Sequence, residues 1–339
     1  MDQRWRPSVE KRLFTWSLTG LGLATGPLYA EHLRKSIVQY SCTMVGAVRL
    51  AILACSLLLV EACGGSTSTP SGVINVVAGE GFWGSIAMEL GGSKVRVQSV
   101  VTDPNADPHE YESSTNDARA FADARLVILN GAGYDDWAKK LLAANPSAQR
   151  QVMDVAQLLG RKVGDNPHFW YQPDSVVKAA DAITAHYRSI DSADSSYFDQ
   201  RRADYATALK PYEDKIASIK QRFGGTPIGS TESIFVYMAD ALGLNLTTPP
   251  AFMEAVAEGT DPPASSVAAF HDQIAANQIK VVVYNVQTTT AVTTNLVQLA
   301  ASRHIPAVGV SETEPGNSTF EGWQLQQLDR LETALSSVG

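Results

Sequence analysis

The stretch SSYFDQRRADYATALKPYEDKIASIKQRF, residues Ser195 to Phe223, decides the fold of this 339-residue chain. Apolar and aromatic residues recur in it at steps of three to four, and Gly224 and Gly225 follow it. This pattern predicts one long amphipathic helix that is bent at Pro211. The recurring residues are Phe198, Tyr205, Leu209, Tyr212, Ile216, Ile219 and Phe223.

Short apolar runs rich in β-branched residues alternate with amphipathic stretches on both sides of this helix. They form one group before about residue 170 and another after about residue 225, which is typical of parallel sheets covered by helices. We therefore predict an α/β fold with two similar lobes, linked by one long rigid helix. The runs are 73–78, 95–101, 126–130, 280–285 and 305–310.

This organisation divides the chain after residue 72 into a first lobe at 73–193, a linking helix at 194–224 and a second lobe at 225–339. A chain of 339 residues that is 45% hydrophobic can bury a core in each of two domains. The alternative is a single large domain in which the helix lies on the surface. A stiff helix between two lobes would limit how far the lobes can swing.

The charge of the chain is uneven. From residue 63 onward it carries twenty Lys and Arg against thirty-one Asp and Glu, a net charge of −11. Such a surface does not neutralise phosphates, so we expect no nucleic-acid partner, and it mildly favours the handling of cations.

The N-terminal 1–62 segment predicts export. Residues 44–62 combine a short basic start, an uncharged apolar run at 50–60 and a small residue before Cys63. They resemble a bacterial lipoprotein signal, in which Cys63 is lipidated, although Glu61 departs from the usual pattern. A plain membrane anchor or a buried helix is the alternative.

A flexible tether at 63–72 follows this signal. We expect an exported chain, lipid-anchored to the outer face of the bacterial cell membrane or periplasmic. Residues 1–43 have no clear role.

Two histidines lie in similar loop contexts. His109 stands in DPHEYE and His168 in NPHFW, each preceded by proline, which restricts the backbone and suits a preorganised imidazole ligand. Alone, either would more often be an ordinary loop histidine. No cysteine follows Cys63, so a metal site in the lobes must use His, Asp and Glu.

Four segments together resemble the metal-ligand segments of the zinc and manganese solute-binding lipoproteins, in the order of that family. They are residues 107–112, 166–170, 231–235 and 310–313. The resemblance implies two α/β lobes joined by a long helix, with a divalent ion in the cleft between the lobes. It assigns the ligand roles to His109, His168, Glu232 and Glu312.

The two carboxylates could also have other roles than metal binding. Glu232 could complement a helix dipole, and Glu312, which replaces the more usual Asp, could be a solvated acid with Glu314 as its competitor. Asn285 and Gln287 follow a predicted strand and could orient a ligand, although capping of the strand end is the alternative. The remaining histidines are expected to be structural.

Two imidazoles and two carboxylates suit Zn²⁺ or Mn²⁺ as the transported ion. In the resembled family this set is more typical of manganese binders. The resemblance implies a monomeric solute-binding component that delivers its ion to an ABC permease and its ATPase. A surface adhesin with a structural metal and a zinc hydrolase are the alternatives, but no catalytic motif supports an enzyme.

Overall fold

The computed structural model describes residues 72–103 and 111–338. Cys63, the export segment and His109 lie outside these residues, so the predictions made for them stay predictions. None of the described helices is long and apolar enough to cross a membrane.

The first lobe is built on a sheet of four parallel strands in the order β2-β1-β3-β4. Helices connect successive strands, as parallel pairing requires. The strands are β1 (Ile74–Glu80), β2 (Val95–Val101), β3 (Leu126–Leu129) and β4 (Gln151–Asp154). The helices are α1 (Gly81–Gly91), α2 (Thr115–Asp123), α3 (Asp136–Ala144), α4 (Val155–Leu158) and α5 (Pro173–Ile190).

The linking helix α6 (Ser195–Phe223) is continuous over 29 residues. At 1.5 Å per residue it is about 43 Å long. The predicted helix is confirmed with the bounds that the sequence indicated, whereas the bend at Pro211 stays a prediction. Its apolar stripe is buried at Phe198, Tyr205, Leu209, Tyr212 and Ile219.

The second lobe repeats the architecture of the first. Its sheet has four parallel strands in the order β6-β5-β7-β8, so each strand has a counterpart at the same place in the first sheet. The strands are β5 (Pro227–Ser230), β6 (Asn245–Leu246), β7 (Val281–Asn285) and β8 (Ala307–Val310). The helices are α7 (Val236–Ala241), α8 (Pro250–Ala257), α9 (Ala264–Ala275), α10 (Ala291–Ser302) and α11 (Phe320–Ser336).

Helix α11 joins the two lobes. Its Phe320 ring lies 6.3 Å from the ring of Tyr212 on α6, and the Phe320 amide donates to Ser85 on α1 at 3.1 Å. Lys215 on α6 pairs with Glu332 on α11 at 2.6 Å. One hydrophobic interior therefore runs from the first lobe to the second. The lobe boundaries predicted from the sequence stay a proposal.

The carboxyl group of Glu89 on α1 lies where α1 meets α11, a contact that we call the seam. Burial and the neighbouring carboxylate of Glu321 raise the pKa of Glu89 to about 7. Because this pKa lies above the usual 4.5 of a glutamate, ionisation of Glu89 opposes folding. The protonated Glu89 side chain stabilises the fold fully below about pH 4.5, and this stabilisation is lost as the pH rises through 7.

Glu89→Gln should therefore raise the melting temperature at pH 8, by about 2 °C, and leave it nearly unchanged at pH 5. Thermal melting at the two pH values checks this. Glu213→Gln, which removes an exposed acid from α6, is the matched control. An increase in the melting temperature of Glu89→Gln that is equal at both pH values would contradict the raised pKa of Glu89.

Candidate functional site

Three side chains from different elements meet where the carboxyl ends of the two sheets face each other. His168, Glu232 and Glu312 each offer a ligand atom within 4.8 Å of the others, and all three side chains are fully buried. His168 Nε2 lies 3.7 Å from Glu232 Oε1 and 3.8 Å from Glu312 Oε2. The structure thus brings together three of the four residues that the resemblance assigns as ligands.

His168 is held by the asparagine two residues before it. Asn166 Oδ1 accepts from the His168 amide at 3.1 Å and lies 2.7 Å from the imidazole Nδ1. Because an acceptor faces Nδ1, the ring carries its proton there and turns the lone pair of Nε2 toward the carboxylates. Asn166 also reaches the second lobe, where its Nδ2 donates to the Ser233 carbonyl at 2.8 Å.

Glu232 follows β5 and precedes a 3₁₀ turn, Ser233–Phe235. It stands at the cap position of that turn but makes no side-chain capping hydrogen bond. Its carboxylate accepts instead from Ser233 Oγ at 3.0 Å and from Asn285 Nδ2 at 3.0 Å. The carboxylate therefore points at the site and does not act as a helix cap.

Glu312 lies in the loop after β8, and Gln287 fixes the backbone there. Gln287 Oε1 accepts from the amides of Glu312 at 2.6 Å and Thr313 at 3.1 Å. This hydrogen-bond pair fixes the direction of the loop, and hence of the Glu312 side chain. Gln287 is thus positioned to orient a ligand, which is one of the two roles that the sequence allows.

Asn285, the last residue of β7, bridges the two acids. Its Nδ2 donates to Glu312 Oε1 at 2.6 Å as well as to Glu232 Oε2 at 3.0 Å. One amide thus separates two buried carboxylates that would otherwise repel each other. This contact goes beyond the strand-end cap that the sequence also allowed.

No sequence pattern indicates Tyr134, which joins the lobes at the site. Its hydroxyl donates to Glu312 Oε2 at 2.7 Å. Burial raises the pKa of Tyr134 well above its usual range, and the carboxylates of Glu312, Glu80 and Glu232 raise it further. The hydroxyl therefore stays protonated and acts as a donor.

Asn130, just after β3, is a second residue that the sequence did not single out. It accepts from Trp83 Nε1 at 3.1 Å and donates to the Pro167 carbonyl at 2.9 Å. It occupies the place in the first lobe that Asn285 occupies in the second. Asn130 thus ties the start of α1 to the loop that carries His168.

The electrostatics of the site suit a cation. Burial raises the pKa of Glu232, the charge of His168 lowers it, and the carboxylate of Glu312 raises it again. A divalent ion between the carboxylates would remove both the repulsion and the cost of burying their charge. One imidazole and two carboxylates form a hard-to-borderline ligand set.

The competing residues lie elsewhere. Glu314, two residues beyond Glu312, is not part of the three-residue cluster. Burial raises its pKa to about 8, with smaller contributions from the charges of Glu321 and Glu89 and against a hydrogen bond from Ser85 that lowers it. Its place is thus at the seam with α1, while Glu312 faces the site. His271 is exposed and pairs with its neighbour Asp272.

A cleft of about 850 Å³ opens beside the site. Tyr134 and Asn166 line it from the first lobe and Ser233 from the second, so it touches the residues that hold the three candidate ligands. Asp240 and Glu254 contribute acidic groups to its wall. An acid-lined cleft raises the local concentration of cations.

Comparisons with known proteins agree with this geometry. Residues 76–334 match the family model described as zinc-uptake complex component A, periplasmic. The metal ABC transporter substrate-binding lipoprotein FimA of Streptococcus parasanguinis is 27% identical over 216 residues, which are 58% of this chain and 66% of FimA. The manganese ABC transporter substrate-binding lipoprotein PsaA of Streptococcus anginosus is 27% identical over 58% of this chain and 68% of PsaA. The match thus spans just under two thirds of FimA.

Solved structures share the fold. A crystal structure of ZnuA superposes with a TM-score of 0.61 at 20% identity, over 78% of this chain and 98% of that one. The structure of FpvC from Pseudomonas aeruginosa in complex with Mn²⁺ gives a TM-score of 0.65 at 18% identity, over 78% and 99%. Two parallel-sheet lobes with a long helix are therefore an architecture found in metal-binding proteins.

Proposed function

The chain belongs to the family of zinc-uptake complex component A proteins, and from this membership we propose that it is the solute-binding component of an ABC importer. It captures a divalent transition-metal ion between its lobes and delivers it to the membrane permease. The observation that carries the proposal is the fully buried cluster of His168, Glu232 and Glu312. Its ligands come from both lobes, so the ion itself holds the cleft closed.

The ligand set supports Zn²⁺ or Mn²⁺ as cargo. His109, from the loop after β2, is the proposed fourth ligand. Two imidazoles and two carboxylates neutralise a divalent ion and disfavour both thiolate-seeking ions and an all-oxygen calcium cage. Four protein ligands close the coordination of zinc, which suits a carrier better than a hydrolase that needs an open position.

The partners follow from this role. We propose that the chain acts as a monomer with a permease and its ATPase, and that lipidation of Cys63 anchors it to the outer face of the membrane. The family description names a component of an uptake complex and not an enzyme. A surface adhesin would need the ion only for its structure.

Calorimetric titration of the chain from residue 64 onward tests the proposed function. We expect one Zn²⁺ or Mn²⁺ per chain, with an affinity that falls more than about tenfold in His109→Ala, because the proposed fourth ligand is lost. His304→Ala, at an exposed turn, is the control. Unaltered affinity of the His109 variant would remove this residue from the site.

Deletion of the gene separates transport from adhesion. Under metal limitation, cells without the protein should accumulate less zinc or manganese than wild-type cells. Normal metal accumulation together with reduced surface attachment would support the adhesin alternative and overturn the transport role.

A further inference from the structure

Tyr171 is a buried residue to which the site described above gives no role. It ends a 3₁₀ turn, Phe169–Tyr171, that begins directly after His168. The amide of Tyr171 donates to the His168 carbonyl at 3.0 Å, so the turn holds these two residues at a fixed spacing. The side chain of Tyr171 is fully buried, and burial raises the pKa of its hydroxyl well above the usual range. The hydroxyl is therefore available as a hydrogen-bond donor.

The hydroxyl of Tyr171 reaches the second lobe. It faces two acceptors there, the Ser311 carbonyl at 2.7 Å and Gln327 Oε1 at 3.0 Å. Ser311 directly precedes Glu312 in the loop after β8, and Gln327 lies on α11. A hydrogen-bonded path therefore leads from the backbone of His168 through Tyr171 to the backbone beside Glu312.

The Ser311 end of this path is itself held firmly. The Ser311 amide donates to Gln327 Oε1 at 3.0 Å, so one oxygen of Gln327 accepts from Ser311 as well as from Tyr171. The Ser311 hydroxyl accepts from Trp323 Nε1, also on α11, at 3.2 Å. Helix α11 thus fixes the backbone that leads into Glu312, and Tyr171 ties this backbone to the first lobe.

Tyr171 differs in one respect from Tyr134, which also joins the lobes. Tyr134 donates to Oε2 of Glu312, the oxygen that lies 3.8 Å from His168 Nε2. An ion that binds between those atoms competes with this hydrogen bond. The Tyr171 hydroxyl bonds a backbone carbonyl and Gln327 instead, so an ion can bind the carboxylates without displacing it.

We propose that Tyr171 is a positioning residue of the metal site, which holds the loops of His168 and Glu312 together both before and after the ion binds. This inference rests on the proposed function. A bridge that keeps His168 Nε2 and Glu312 Oε2 at 3.8 Å spares the ion the cost of ordering the two loops. It also opposes the separation of the loops that releases the ion. Loss of the bridge should therefore act mainly on the rate of ion dissociation.

Tyr171→Phe tests this inference, because it removes the hydroxyl and keeps the ring. The full chain is loaded with Mn²⁺ or with Zn²⁺, and transfer of the ion to an excess of chelator measures its dissociation rate. We expect this rate to rise about tenfold and the association rate to change less than about twofold.

Tyr187→Phe is the matched control. Tyr187 is also fully buried, and its hydroxyl donates to the Ala87 carbonyl at 2.8 Å, but both residues belong to the first lobe. The control therefore loses the same kind of hydrogen bond without loosening the bridge between the lobes. It should release both ions at the rate of the wild type.

Gln327→Met tests the other side of the bridge. It removes the acceptor that Tyr171 shares with the Ser311 amide, so we expect faster release of the ion in this variant too. Combined with Tyr171→Phe, it should add less than its separate effect, because both substitutions act on one bridge. Effects that multiply independently would overturn the bridge.

The outcomes separate the inference from the proposed function. A wild-type chain that binds neither ion would refute the function itself. A wild-type chain that binds, with Tyr171→Phe releasing the ion no faster than Tyr187→Phe, would overturn the role of Tyr171. Melting of the metal-free variants identifies loss of folding. If Tyr171→Phe does not fold, the release rate of Gln327→Met decides, and a wild-type rate would overturn the inference.

Discussion

His168→Ala will abolish specific metal binding. We expect the affinity for both Zn²⁺ and Mn²⁺ to fall more than about a hundredfold, beyond the range usual for residues outside the coordination shell. The reason is twofold. The ion loses an imidazole ligand whose orientation Asn166 fixes at 2.7 Å, and Glu232 and Glu312 are left without the imidazole that lies beside both of them.

Competition with a chelating dye of known affinity measures this loss. His271→Ala is the matched control, because that imidazole is exposed and pairs with its neighbour Asp272. Asn166→Ala should give a smaller loss, since the ring remains but its orientation is no longer fixed. If His168→Ala binds either ion within threefold of wild type, the candidate site is not the metal site.

Asn285→Asp should produce the largest change in the stability of the metal-free protein. The substitution preserves the shape of the side chain but replaces the amide donor between Glu232 and Glu312 with a third buried acid. We expect the free energy of unfolding to fall by about 3–5 kcal/mol, the usual cost of an uncompensated buried charge. A divalent ion should restore most of this loss, because its charge compensates the added acid.

Urea unfolding at neutral pH, with and without Mn²⁺, measures both effects. Asn295→Asp is the control, since Asn295 is exposed on α10 and the same substitution there adds charge without burying it. Equal unfolding midpoints for Asn285→Asp and wild type in the absence of metal would show that the bridging amide contributes little to the free energy of unfolding.

The sequence predicts the fold well, because the signals that indicate it are local. The apolar stripe of α6 depends on a period of three to four residues, which is a local signal, and the structure has the helix at Ser195–Phe223. His168 is singled out by the proline before it, which is also a local signal. The ligand roles of Glu232 and Glu312 come from the resemblance of the four ordered segments.

Contacts over long sequence separations could not be predicted in this way. Tyr134 and Glu312 are 178 residues apart, and no periodicity of the chain links them. Glu312 and Glu314 differ by two residues in an irregular loop, and the hydrogen bonds that Tyr134 and Asn285 donate to the Glu312 carboxylate distinguish them.

The position of α11 has a consequence for the order of folding. This helix follows both sheets along the chain, yet it supplies Phe320 to the interior against α6 and a backbone contact to α1. Without α11, part of the apolar stripe of α6 is exposed and the first lobe lacks this contact. The first lobe therefore cannot finish folding before α11 has been synthesised.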